Sequence, residues 1–153
     1  MKIEELVSAL NDAVGGSFEV SDGTCIIAVD DMVVNILEVL ETGSIVMYAR
    51  IGEHPAEDNV GRLSESLLAA NHMYQGTHGA TISYNLDDRC YYLNRFDSAD
   101  NLNGEKFVKL LEDFVNTLEV WRKIVSDYRA VAAESEAPAE EAPMGGVGGF
   151  MQV

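Results

Sequence analysis

Positive charge is what this chain has least of. Its 153 residues hold 10 Lys and Arg against 26 Asp and Glu, a net charge of −16. Binding a phosphate backbone means neutralising it with cations, so this balance disfavours nucleic acid as a partner. Anionic membrane surfaces are disfavoured on the same ground. The acidity favours solubility, and attraction to a basic or poorly soluble partner. Cysteine is scarce too: Cys25 and Cys90 each lie in an apolar, strand-like run, and there is no C-x-x-C pair. Such residues act as small hydrophobes, so both thiols are expected to be free. No run approaches the roughly 18 apolar residues of a membrane span. The opening MKIEELVSAL sets two acids ahead of a short apolar stretch, unlike a secretory leader, and a cytoplasmic location is expected.

The signatures of chemistry are missing as well. His54, His72 and His78 stand in neither H-x-x-x-H nor H-E-x-x-H spacing. There is no G-x-S-x-G elbow and no P-loop, and the crowded glycines of GGVGGF lack the strand-before, helix-after context of a dinucleotide site. Asp30-Asp31 and Asp87-Asp88 read as turn formers between strands rather than cation ligands. Gln75, Thr77 and His78 make a polar cluster beside a glycine turn. That cluster reads as a capped helix end whose side chains bond freed backbone groups. No cofactor, metal or catalytic residue is expected.

Periodicity is abundant. Ile3, Leu6, Val7, Leu10 and Val14 recur as on one face of a helix, which Gly15-Gly16 ends. Strand-like segments follow over Ser17–Val20, Thr24–Val29, Met32–Glu41 and Ser44–Gly52, separated by Ser21-Asp22-Gly23, Asp30-Asp31 and Thr42-Gly43. Both faces of the Met32–Glu41 segment are largely apolar, so it is either covered twice or greasy on an exposed side. A second helix is expected from Pro55, with Glu57 and Asp58 in its first turn and Val60, Leu63, Leu67, Ala70 and Tyr74 as its stripe. An Ala80–Leu86 strand alternates cleanly and pairs through Asp87-Asp88 with Arg89–Phe96. Asn103 is a candidate N-cap for a last helix whose stripe runs from Phe107 to Tyr128, with Glu105–Lys109 and Glu119–Lys123 as i,i+4 pairs.

From about Ala133 the composition turns acidic, then glycine-rich, and the periodicity stops. Residues 1–132 are therefore expected to form one domain and 133–153 a disordered tail. With the short Ser17–Val20 segment merged into its neighbour, the order α-β-β-β-α-β-β-α implies an α+β fold, a twisted antiparallel sheet with helices packed on one side.

Two segments resemble class I type III secretion chaperones of the Tir-chaperone-like (CesT-like) family. One is LLAANHMYQGTHGATISYN, where leucines, Ala and Asn end a helix and a Gln-Gly-Thr-x-Gly-Ala-Thr turn leads into a strand. The other is EDFVNTLEVWRKI, Glu112 to Ile124, similar to the family's last helix. The resemblance implies a homodimeric, non-catalytic chaperone that binds the amino-terminal segment of secreted effector proteins and keeps it extended for the secretion apparatus, a further partner. It implies a dimer interface at Leu63, Leu67, Leu68, Asn71, Ala80, Thr81, Ile82 and Tyr84. It also implies effector contacts among the apolar residues of the first helix and the sheet: Leu6, Leu10, Phe18, Ile27, Val34, Ile36, Val39 and Met47. Which of these point outward is open from sequence. The expected mode is addition of a strand to a sheet edge, with pockets for alternate side chains. Substituting Val34 or Ile36 by Asp is accordingly expected to abolish effector binding and leave the fold intact. A stand-alone adaptor or sensory domain of the same fold, binding a folded protein or a small ligand, is the second reading. A small enzyme using the Gln75–His78 turn is the third.

Overall fold

The computed structural model describes residues 2–55 and 63–136. The expected Glu57, Asp58 and Val60 of the second helix, and the segment from 137 on, lie outside the described residues.

The elements run α1 (Lys2–Val14), β1 (Val20–Ser21), β2 (Thr24–Val29), β3 (Met32–Val39), β4 (Ser44–Glu53), α2 (Leu63–Asn71), β5 (Thr81–Asn85), β6 (Cys90–Ser98) and α3 (Gly104–Glu136). One six-stranded sheet has the order β1-β2-β3-β4-β6-β5, and every pairing is antiparallel. Chain order is kept from β1 to β4. The chain then crosses through α2 to the far edge, lays down β5, and returns as β6 beside β4. The fold is α+β, as expected.

The register settles which side of each strand is core. Ile27 opposes Val34 and Val34 opposes Ala49, while Cys25 opposes Ile36 and Ile36 opposes Met47. All six are buried. They face α1 and α3, whose Ile3, Leu6, Val7, Leu10, Phe107, Leu111, Phe114, Leu118, Trp121 and Val125 complete a single core. The α1 stripe ends one turn early, for Val14 is exposed. Two contacts fix the helices. Glu38, the one acid of β3, turns its carboxylate to the Ile3 amide at 3.0 Å, satisfying a donor at the positive end of α1. At the start of α3 a Cβ on Gly104 would stand 2.5 Å from the Ala9 Cβ, so α1 and α3 approach closely only because this residue is glycine.

Asn103 caps α3 as expected, accepting the Lys106 amide at 2.9 Å. The surface pairs differ from expectation: Lys109 bonds Asp113 and Lys123 bonds Asp127, both toward the helix C-terminus. The helix continues to Glu136, past the composition change at Ala133.

The turn between α2 and β5 also departs from expectation. Gly76 is not a left-handed residue here; the positive φ values fall on Met73, Tyr74, His78 and Gly79. Gly76 is required by space, since its Cβ would lie 2.8 Å from the Ala70 Cβ. The Gly76 amide bonds the Ala70 carbonyl at 3.1 Å, and Trp121 Nε1 donates to the Gly76 carbonyl at 2.8 Å. The Asn71 side chain caps no helix end and bonds the Ile82 backbone of β5 instead. Thr77 Oγ1 is buried without a partner among the described residues, and His78 Nδ1 meets Thr117 Oγ1 at 3.1 Å.

Candidate functional site

With α1 and α3 on one face, the opposite face of the sheet carries apolar side chains that no helix among the described residues covers. Ile26 is 61% exposed, Val33 51% and Phe96 71%. Ile26 lies in one row with Asn35 and Tyr48, and Leu37, Val46 and Phe96 form the next. A polar outer face is the usual condition of an antiparallel sheet in water, so exposed apolar rows mark a contact surface.

The edge beside this face is open. The partner β1 matches β2 only at Cys25 and Thr24, and no strand among the described residues follows along Ile26–Val29. The two-residue turn at Asp30-Asp31 makes Val29 and Met32 the closing pair. Cys25, Ile27 and Val29 therefore direct their amides and carbonyls at β3, while Ile26 and Ala28 direct theirs outward. Such an edge is a template for another strand.

The opposite edge is plugged in part. Asn71 donates from Nδ2 to the Ile82 carbonyl at 3.0 Å and accepts the Ile82 amide on Oδ1 at 2.8 Å, taking both outward groups of one β5 residue. Asn11 treats Phe18 the same way, at 2.9 and 2.7 Å, just ahead of β1. In each case an Asn near the end of a helix satisfies the backbone of the extended segment that follows. Beside β5 lies a second apolar surface: Leu68 is 70% exposed and Leu86 81%, with Met73, Tyr74 and Tyr84 also open to solvent. Next to it is a cavity of about 320 Å³ walled by Leu67, Leu68, Ile82, Tyr84, Tyr91 and His54. The Tyr84 and Tyr91 rings are 5.1 Å apart, and the Tyr91 hydroxyl meets His54 Nδ1 at 2.6 Å and Ser64 Oγ at 3.0 Å.

The expected site residues fall unevenly on these surfaces. Leu6, Leu10, Ile27, Val34, Ile36 and Met47 are core, and Phe18 and Val39 are half-buried. Which of these residues point outward was open from sequence, and burial answers it. Both faces of the strands are apolar, and α1 and α3 cover the one that holds these residues. The outward set, offset by one residue, is Ile26, Val33, Leu37 and Phe96. Of the expected interface residues, Leu63, Leu67, Ala80 and Ile82 are buried within the chain. Asn71 is committed to Ile82, and Leu68, Thr81 and Tyr84 are exposed. Leu86 and Phe96 were legible as apolar residues at strand ends, but nothing in their spacing said they would be uncovered. Among the described residues, no group of three or more His, Cys, Asp or Glu is placed to hold a metal ion, and no helix is long and apolar enough to cross a membrane.

A sheet with one bare apolar face, one open edge and a second apolar patch defines a protein-binding module. The chain belongs to the Tir chaperone protein (CesT) family, whose sequence model matches residues 3–122. Solved structures share the fold. One is the HopA1–SchA chaperone–effector complex, with a TM-score of 0.66 at 13% identity over 80% of this chain and 94% of the other. Another is the ExsC–ExsE complex, 0.65 at 15% over 81% and 93%. A third is the Yersinia pestis type III secretion chaperone SycH in complex with a stable fragment of YscM2, 0.59 at 15% over 79% and 99%. No curated protein sequence matches the chain.

Proposed function

We infer that this chain is a cytoplasmic, non-catalytic type III secretion chaperone that binds an extended segment of a secreted effector. The observation that carries the reading is the open Ile26–Val29 edge beside the exposed Ile26, Val33 and Phe96, within a member of a chaperone family. An unfolded segment added along β2 has its main-chain groups satisfied whatever its sequence, while alternate side chains seat on the bare face and select among clients. Ordering an extended chain costs several kcal/mol of the gross contact energy, so a long footprint across the Leu37–Phe96 row is expected as well.

Two copies are proposed to associate through the patch of Leu68, Tyr84 and Leu86, which leaves the client face free. A stable pair needs roughly 800 Å² per partner. The experiment is co-purification with an effector amino-terminal segment. Val33→Asp and Phe96→Ser should each weaken capture at least about tenfold with an unchanged circular dichroism spectrum, while Leu68→Asp should halve the mass by light scattering. Undiminished capture by Val33→Asp combined with Phe96→Ser would sink the client face.

A further inference from the structure

In a molecule of net charge −16, four of the ten Lys and Arg, namely Arg50, Arg122, Lys123 and Arg129, line one groove of about 680 Å³. The groove runs from Glu119–Arg129 of α3 around the β2–β3 turn to Val33, which stands on the bare face. Arg122 grips Asp31 through two bonds of 3.0 and 2.9 Å, and Arg129 reaches Glu53 at 3.4 Å. Arg122 thereby holds the Asp31 carboxyl below its usual range, by hydrogen bond first and by charge second. Asp30 and Glu119 are the other acids of the groove, leaving it neutral where the rest of the surface is acidic. Arg50 bonds no carboxylate among the described residues. Its Nε donates to Cys90 Sγ at 3.1 Å.

The chain supplies its own candidate for this path. Residues 134–141 carry Glu134, Glu136, Glu140 and Glu141, and residues 144–153 read MGGVGGFMQV, with Val147, Phe150 and Met151 among glycines. Helix α3 passes the groove before these residues begin: Arg129 sits at Glu53, and Glu136 follows about 10 Å further along the helix axis. The fourteen residues from Glu136 to Phe150 span at most about 46–50 Å, ample to return over the groove to the bare face.

We propose that residues 144–153 dock on their own chain, seating Phe150 and Met151 against Ile26 and Val33, with Glu140 and Glu141 crossing the groove beside Arg50. Because the segment is tethered, even weak contacts are populated, at an effective concentration on the order of millimolar. The contact stands whether or not a client exists. Its consequence, that a client must displace the segment, rests on the client reading above.

The test uses the full chain without any client. Val33→Cys with Phe150→Cys, treated with a short bis-maleimide, should cross-link within one chain at least about tenfold faster than Leu86→Cys with Phe150→Cys. Adding Arg50→Glu, or raising the salt, should slow the first pair several-fold. Equal rates for the two pairs would overturn the proposal. So would a Val33–Phe150 link that forms only between two copies when chains of different mass are mixed, for that assigns the face to a second molecule. Amide exchange gives a readout free of added cysteines. Phe150→Ser should speed exchange at Ile26 and Ala28 several-fold, and unchanged exchange there would refute docking at this edge.

Discussion

The two faces of the same four strands behave as opposites although both carry large aliphatic side chains. On one, Ile27, Val34, Ile36 and Met47 are sealed under α1 and α3; on the other, Ile26, Val33 and Phe96 stand in solvent. Val33 and Val34 are chemically identical neighbours whose fates differ because consecutive strand residues point to opposite sides. What separates core from contact surface is the placement of two helices. Hydrophobicity alone does not distinguish them. The two edges repeat the lesson. An Asn side chain takes both outward groups of Ile82 on β5, while Ile26 and Ala28 of β2 have no strand beside them among the described residues.

The largest effect that would break this comparison is on the fold. Ile36→Asp places an unpartnered carboxylate in the core and should cost upwards of about 4 kcal/mol, enough to unfold much of a marginally stable domain. Ile26→Asp, one strand away on the bare face, should shift stability by about 0.5 kcal/mol or less. Urea midpoints by circular dichroism check both, and equal losses would mean that the outer face is packed after all. Next come the edges. Asn71→Ala leaves the Ile82 amide and carbonyl without their partner and should cost about 1–3 kcal/mol, with faster exchange at the Ile82 amide.

A smaller effect of opposite sign is expected at Thr77. Its buried hydroxyl has no partner among the described residues, so Thr77→Val should raise the urea midpoint by about 1 kcal/mol equivalent. A lower midpoint would show that the hydroxyl finds a bond in solution. The smallest effect lies on the outer face near β6, where the Tyr92 hydroxyl donates to the Asp88 carboxylate. That bond pushes the phenol up to about 12 and lowers the Asp88 carboxyl. Its contribution is full only between the ordinary carboxylate value and the ordinary phenol value of about 10. It fades as pH falls through the lowered Asp88 value or rises through about 12. One tyrosine should therefore ionise last in a phenolate absorbance titration, and Asp88→Asn should return it toward about 10.

Much of the order of elements was legible in the residues. Strict alternation in Thr81–Asn85, glycine and aspartate turns, the Asn103 cap and the Phe107–Tyr128 stripe each rest on local stereochemistry that a sequence displays. The site was legible only as a set of apolar strand residues with two possible faces. The effector residues implied by family resemblance fell on the covered face, since a strand apolar on both sides gives periodicity no preference. Phe96 and Leu86, exposed near strand ends, carried no distinguishing pattern. Asn71 looked like an ordinary helix-end polar residue, because its partner Ile82 is brought to it by the turn at Gly76.

By itself the sequence determined the acidity, the elements and most of their boundaries, because charge and short-range periodicity are written residue by residue. Only the tertiary structure decided which valine of a pair is core, which edge is plugged, and that Arg50 of β4 joins the cations of α3 in one groove. Each of these depends on which elements meet across the sheet, and a one-residue change of register would reverse the faces while leaving the composition the same.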